Sequence, residues 1–569
     1  MNSYEVIKKE IENLFVEAKI VPCFTLDQPE DSSRGEYATN VAFVFAKKEN
    51  SSPRETAEKY AQILHEKLST VVERIEVAGP GFINFFLKDK VMLAEVEKTA
   101  KQFIFMLDAT EKGKVMVEYT DPNCFKVFHV GHFMANIVGE AISRLYENIG
   151  HHVMRVCYPS DVGRNVALGV WGVMQKREQL PHEHATLREK ATFLGECYAF
   201  AFAEFEKSDQ VKEEVTKVNQ AIYARSDEEI LRFYDMGRAW SLEYFNDLYK
   251  MLDTTFDAFI YESEVSEPGV KIVKEFLKKG LFEESEGAIV YKGEQDGLHT
   301  RVFINQKGLP TYEAKDLGNY EKKLAMLPDA EEYVVITANE QNDYFKVVNT
   351  VARKIHPGLE GKLIHIGHGL LRLPEGKMSS RTGNVIGAED LIETVKENLQ
   401  ERMEDFEGSS GEKNKLMTDI AIGAIKFSIL KQAPGKDVIF DLENSISFEG
   451  DSGPYLQYTH ARMCTLLEKA RELGITSDTI ASTPEGKELS RLILTYPQVL
   501  LTAYDDLGPH HIVNYLLSLT RAFNSLYGAT QFLDTKKSES AYYVLLTQAT
   551  RNILAHGLQT LGIGAPERM

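Results

Sequence analysis

Residues 115–148 read VMVEYTDPNCFKVFHVGHFMANIVGEAISRLYEN, and the rest of the chain is placed outward from them. Val115 to Tyr119 is a short apolar run that suits a buried parallel strand. Asp121-Pro122-Asn123 is turn chemistry. From His132 onward Phe133, Met134, Ile137, Val138, Ala141, Ile142 and Leu145 recur at helical spacing. Gly150 closes that helix, and Val153 to Cys157 supplies the next strand. Strand, loop, helix, strand is one half of a dinucleotide-type fold, in which ligands lie beyond the carboxyl ends of the strands. His129-Val130-Gly131-His132 falls where the loop enters the helix.

A helix start presents unpaired N–H groups and a partial positive charge, so it attracts phosphate. Two histidines three apart share one face of the first turn and can donate hydrogen bonds to a polyphosphate. Gly131 removes the side chain that would hold a flat base away from the backbone. A metal pair would need further ligands, and no HExxH pattern accompanies this one. The strand before and the helix after favour a nucleotide site over ordinary surface histidines. The sequence also holds a literal repeat, His365-Ile366-Gly367-His368. It lies in an apolar strand, Leu363 to Leu373, that leads into a Pro/Gly loop and not a helix. Those histidines are therefore expected at sheet positions.

Past that strand comes Glu375-Gly376-Lys377-Met378-Ser379-Ser380-Arg381-Thr382-Gly383-Asn384. It is a short glycine- and serine-rich loop with cations, suited to closing on a phosphate chain, and it precedes a helical pattern from Asp390 to Leu399. Together the two stretches resemble the paired "HIGH" and "KMSKS" signatures of class I aminoacyl-tRNA synthetases. The surrounding residues narrow the resemblance to the arginyl-tRNA synthetase family, over nearly the whole chain. It implies a multidomain α/β protein with a Rossmann-like class I catalytic domain carrying a helical insertion. A small N-terminal α/β domain and a C-terminal all-α anticodon-binding domain would flank it.

The totals agree with that size. A chain of 569 residues accommodates three or four domains. The five cysteines, Cys23, Cys124, Cys157, Cys197 and Cys464, are scattered with no CxxC pair, so neither structural zinc nor a disulfide framework is expected. The N-terminus is an amphipathic helix pattern and not a signal peptide, and no apolar run approaches a membrane span. A cytoplasmic protein is expected. A net charge of −20 argues against a general nucleic-acid coat, whose footprint is basic, while leaving room for a local basic face on one folded RNA.

Residues 1–109 form the expected N-terminal domain. Ser52-Pro53-Arg54-Glu55 is a helix start with proline at the first position, and Gly79-Pro80-Gly81 feeds the strand Phe82 to Phe86. The resemblance, carried by Gly35-Glu36-Tyr37-Ala38-Thr39-Asn40 and the GPGFINF run, implies contact with the tRNA elbow at Phe82 and Asn84. The catalytic domain is expected over 110–400, interrupted by helices at about 165–255. Phe256 to Ser263 reads as a strand, and Arg301 to Tyr312 as a hairpin around Gln306-Lys307-Gly308. A connecting helical segment covers 401–446, and an α-helical domain covers 447–569.

Tyr312 and Asp316 stand four apart at the start of a helical pattern and share a face. The resemblance places this pair in the amino-acid pocket, with Glu262 as a second acid and Asn123 and Gln341 as polar partners. Carboxylates in fork geometry suit a planar, permanently charged guanidinium. The resemblance further implies ligation of L-arginine to its tRNA through an arginyl-adenylate, with ATP as substrate and Mg²⁺ as its expected counterion. Activation would occur only with tRNA bound, and the chain is expected to act as a monomer. Lys126, His129, Gly131, His132, Lys377, Met378, Ser379 and Ser380 would form the ATP site. Two departures stand out. The second loop lysine is Ser380 here, and Lys126 is the candidate substitute. Asp121 stands where family members often have Ser, and Phe133-Met134-Ala135-Asn136 where they have Leu-Arg-Ser-Thr. A class I ligase for lysine, and an RNA-binding relative without catalysis, are the rival readings.

Overall fold

The computed structural model describes all residues except Met1, Glu30, 102–111, 373, 375–386, 401–402, 404–407 and 476–481. At its centre is a five-stranded sheet in which every pairing is parallel. Its spatial order is Leu363–His368, Ala330–Ala338, Lys114–Glu118, His152–Cys157, Ala258–Phe259. Val115, Val117, Val156, Val334 and Ile336 are at most 1% exposed, as an apolar strand covered on both faces requires. The order reverses direction between Lys114–Glu118 and Ala330–Ala338, and that switch point opens a crevice at the carboxyl ends of the strands.

The quoted stretch builds the crevice. After Glu118 the chain passes through Thr120 and Asp121, both at positive φ (83° and 42°), and enters the helix Val130–Asn148. That helix lies so close over the strand end that a Cβ on Gly139 would stand 2.2 Å from the ring of Tyr119. The loop between them is gripped from outside. Phe125 donates its N–H to Ser241 Oγ at 3.0 Å, and its ring packs where Gly169 and Gly237 leave room for it. Those partners belong to the inserted helices Arg164–Gln175 and Glu228–Met251, which with Leu187–Lys207 and Asp209–Ala224 make up the expected insertion.

Two expectations need correction. Phe256 to Ser263 is strand only at Ala258–Phe259, and Glu262 is the first residue of a helix, Glu262–Lys278. Asp161 accepts hydrogen bonds from the N–H and hydroxyl of Ser263, holding the first turn in place. The hairpin is also shorter than expected. Arg301–Ile304 is a strand and Leu309 to Thr311 pair back on it past the turn, but Tyr312 already opens the helix Tyr312–Met326.

The N-terminal domain is a four-stranded antiparallel sheet with helices. Ser52 caps the helix Pro53–Lys67 by accepting from the N–H of Glu55 at 3.2 Å. The C-terminal domain contains the long helices Gly453–Glu472, Lys487–Asp505, His510–Ala529 and Glu539–Thr560. Its join to the catalytic domain combines aromatic packing, such as Tyr146 against Tyr504, with polar contacts. Arg144 of the signature helix donates to Gln559 O at 2.6 Å, and the buried ammonium of Lys426 donates to Leu252 O and Gly562 O at 2.7 and 2.6 Å. Among the described residues no helix is long and apolar enough to cross a membrane.

Candidate active site

The signature turn is more closed than the sequence suggests. His129 is itself the N-cap of the helix, and its ring Nδ1 accepts the N–H of Gly131 at 3.1 Å. One of the free helix-start donors is therefore already used, and Nε2 is left to carry the proton and donate outward. A Cβ at position 131 would stand 2.9 Å from His129 Cε1, so the glycine is needed to admit this ring. The rings of His129 and His132 stack at 3.8 Å. Burial, reinforced by Lys126, holds His129 at about 4. Burial and the neighbouring His129 push His132 well below the usual range. Both are neutral near pH 7 and act as hydrogen-bonding groups, not cations. His132 is 8% exposed, and its Nδ1 is buried with no partner among the described residues.

Lys377, Met378, Ser379 and Ser380 lie outside the described residues. Farther along the chain, Gly387 bridges to His129, and the N–H of Ala388 donates to Phe128 O at 2.9 Å. Lys126 lies on the gripped loop with its ammonium 4.6 Å over the ring of Tyr198. Burial and then the nearby Arg164 lower its pKa. It has no acidic partner among the described residues.

The acids gather at the switch point. Glu262 meets Lys315 at 2.5 Å, and Glu118 meets Lys323 at 2.8 Å, with all four side chains at most 5% exposed. Glu118 also accepts from Asn319 Nδ2 at 2.8 Å. Burial opposes charge on Lys315, but Glu262 overcomes it and keeps the ammonium protonated. Asp316 accepts from the hydroxyl of Tyr344 at 2.5 Å and has no salt-bridge partner among the described residues. Its carboxyl is raised to about 7 by burial, then by Glu118. Asp121 accepts the N–H of Tyr158 at 2.7 Å, and burial with Glu118 raises it as well. The hydroxyl of Tyr158 is buried among these acids with no partner.

Of the residues expected in the pocket, Glu262 and Asp316 meet there. Asn123 lines the same loop through its bridge to Ser160. Tyr312 stands at the rim, 53% exposed, its ring 4.8 Å from the Lys315 ammonium. Gln341 is exposed just beyond the carboxyl end of Ala330–Ala338. The sequence reading missed Lys315, Lys323, Glu118 and Tyr158. A usable signal was available for the lysines, since they share a short helix with Asp316 whose remaining pattern is largely buried.

His365 and His368 are at sheet positions, as expected, in Leu363–His368. His365 stacks on Phe345 at 4.2 Å and pairs with Thr337 Oγ1 at 2.8 Å. His368 is 3% exposed, yet it lies close enough to depress His132. On the N-terminal domain Phe82 is 43% exposed against the edge of Phe43, whereas Asn84 is 4% exposed within the sheet and offers little surface.

Residues 95–442 match the model for tRNA synthetases class I (R), catalytic domain. Residues 456–569 match the DALR anticodon binding domain, and residues 3–87 the arginyl tRNA synthetase N terminal domain. The arginine–tRNA ligase of Fusobacterium nucleatum is 28% identical over 99% of this chain and 98% of its own. That of Streptococcus agalactiae is 28% identical over 100% of both. Among solved structures, the Thermus thermophilus arginyl-tRNA synthetase shares the fold at a TM-score of 0.83 and 23% identity, over 100% of both chains. The Plasmodium falciparum enzyme does so at 0.77 and 20% identity, over 100% of this chain and 98% of that one. The catalytic match alone takes in more than half of the residues, and the chain belongs to the class I tRNA synthetases, in the arginyl family.

Proposed function

We infer that the protein joins L-arginine to its tRNA in two steps. ATP-dependent activation gives arginyl-adenylate and releases pyrophosphate. Transfer to the terminal ribose of the tRNA then releases AMP. The observation that carries this reading is a coincidence at one switch point: a histidine-bearing helix start for the nucleotide beside half-buried carboxylates that lack a cation among the described residues.

The arginine carboxylate attacks the α-phosphorus, and the bond to pyrophosphate breaks. No protein nucleophile is needed, because alignment and charge stabilisation suffice for such a displacement. Neutral His129 and His132 donate hydrogen bonds to the phosphate chain, which arrives with Mg²⁺ as its counterion. Lys126, free of an acidic partner among the described residues, stabilises the departing pyrophosphate together with Lys377 and Ser379. Asp316 receives the guanidinium, and Asn123, Tyr312 and Gln341 complete the pocket. Phe82, exposed on the N-terminal sheet, meets the tRNA there. The protein acts as a monomer in the cytoplasm.

The test is ATP–pyrophosphate exchange with each proteinogenic amino acid, with and without tRNA. Exchange should appear with arginine alone, and only once tRNA is added. Lysine-dependent exchange, or none with any amino acid, would overturn the reading.

A further inference from the structure

The enclosed, partnerless hydroxyl of Tyr158 feels four carboxylates, Asp316, Glu262, Glu118 and Asp121, and Asp121 also accepts the N–H of the same residue. Two of them are already neutralised by the chain, Glu262 by Lys315 and Glu118 by Lys323. The other two, Asp121 and Asp316, have no salt-bridge partner among the described residues. Half-buried acids without a cation are costly and await one. Among the described residues no group of three or more acidic, histidine or cysteine side chains is arranged to hold a metal ion, so the missing charge is not assigned to a metal.

The substrate of the proposed reaction carries two cationic groups, a guanidinium at the end of its side chain and an ammonium on its α-carbon. Two uncompensated acids match two cations. Position decides which acid takes which. Asp121 lies on the loop that leads from the strand Lys114–Glu118 to Lys126 and His129, beside the phosphate chain. Asp316 projects from a separate helix, Tyr312–Met326, away from the loop that carries Lys126 and His129 in the chain. The carboxylate that attacks phosphorus hangs on the same carbon as the α-ammonium, so that end of the amino acid must lie on the Asp121 side. The backbone supports this placement. Thr120 and Asp121 hold consecutive positive φ values, an arrangement non-glycine residues rarely adopt, and the hydrogen bond from Tyr158 N–H fixes one carboxylate oxygen.

We propose that Asp121 is a substrate-binding residue whose carboxylate receives the α-ammonium of the bound amino acid, while Asp316 receives its guanidinium. This rests on the arginine-ligase reading. Where the family often carries a neutral serine, this chain places an ionisable carboxyl at the reacting end of its substrate, and the α-ammonium would hold it in its charged form.

The test uses the full-length D121N and D316N proteins in arginine-dependent ATP–pyrophosphate exchange with tRNA. The des-amino analogue 5-guanidinopentanoate serves as competitive inhibitor. Asparagine keeps the oxygen that accepts from Tyr158, so a purely structural role predicts no change. D121N should raise the arginine KM roughly ten- to a hundredfold, leave the ATP KM unchanged, and leave inhibition by the des-amino analogue as in the wild type. D316N should weaken arginine and the analogue alike. An arginine KM within twofold of wild type in D121N, or equal weakening of arginine and the analogue, overturns the proposal. D121S provides the same readout if D121N is poorly folded. A wild-type protein without arginine-dependent exchange would instead remove the arginine-ligase reading itself.

Discussion

Asp316 lies in a cleft that burial and Glu118 make hostile to its charge, and its carboxyl titrates at about 7. Below that value it is protonated and cannot pair with a guanidinium. The arginine KM should therefore rise as pH falls below 7, approaching about tenfold per unit for a single group, and flatten above it. The sign for stability runs the other way. A carboxyl raised on folding contributes stability that is present below its unfolded value of 3.8 and is lost as pH rises through 7. Arginine cancels that loss, so it should raise the melting temperature more at pH 8 than at pH 6. An equal thermal shift at both would show that Asp316 does not face the substrate. Lys126 supports a second prediction. Its ammonium rests on Tyr198 with no acid beside it among the described residues, as expected of a cation aimed at a developing anion. Lys126→Ala should slow activation about a hundredfold while leaving the arginine KM nearly constant, and adding Ser380→Lys should restore part of the rate. An unimpaired Lys126→Ala enzyme would shift that role to Arg164 or Arg381. Asp316, Glu262 and the histidine pair were legible as residues, but their partners were not. Lys315 stands 53 positions from Glu262, a pairing that only the fold creates. Nor does sequence show His129 as a cap, because histidine is not among the residues that usually cap helices.

At the scale of elements, the loop between the first strand and the signature helix is shaped from outside. Phe125, at φ 65°, is held by the hydroxyl of Ser241 and by two glycines on different inserted helices. Phe125→Ala should cost about 3–5 kcal/mol in unfolding free energy through the cavity it leaves. It should also lower kcat, because Lys126 and His129 follow on the same loop. Urea melts and exchange assays read the two effects, and a destabilised protein with full kcat would show the loop to be self-supporting. Elements with strong periodicity, such as Leu187–Lys207 and Glu539–Thr560, were readable from their apolar faces. The helix Glu262–Lys278 was not. It follows an aromatic, strand-like run, it contains Pro268, and its N-cap is Tyr261 and not one of the usual capping residues, so the acids Glu262 and Glu264 in its first turn were its only start signal. That error concealed how Glu262 is aimed. A residue at a helix start points differently from one in a strand.

Across the whole molecule, the catalytic and C-terminal domains share apolar packing and are joined as well by cations that donate to backbone carbonyls. Lys426 is fully buried, and burial lowers it to about 8. Replacing it with methionine would strand Leu252 O and Gly562 O, which lie on separate parts of the chain. Lys426→Met should lower stability by about 1–3 kcal/mol, read by calorimetry, with no change in the arginine KM. An unaltered melting temperature would mean that the two carbonyls find water. The division into an antiparallel N-terminal module, a parallel sheet and a helical C-terminal part was readable because each has its own period. The polar contacts between the parts were not, since they use single atoms with no repeating pattern.

The clasp on Arg144 has a temporal side. During synthesis its first partner, Glu140, is made four residues earlier, and Asp253 follows 109 residues later. Gln559 appears only 415 residues after Arg144. At ribosomal speeds of about 5–20 residues per second, that last carbonyl arrives roughly 20–80 s later. Through that interval the nascent signature helix is tied to its own domain and still lacks its tether to the C-terminal one. A ribosome stalled before Gln559 would therefore hold a catalytic sheet with one guanidinium contact still open, a state that limited proteolysis of the nascent chain should be able to distinguish from the completed protein.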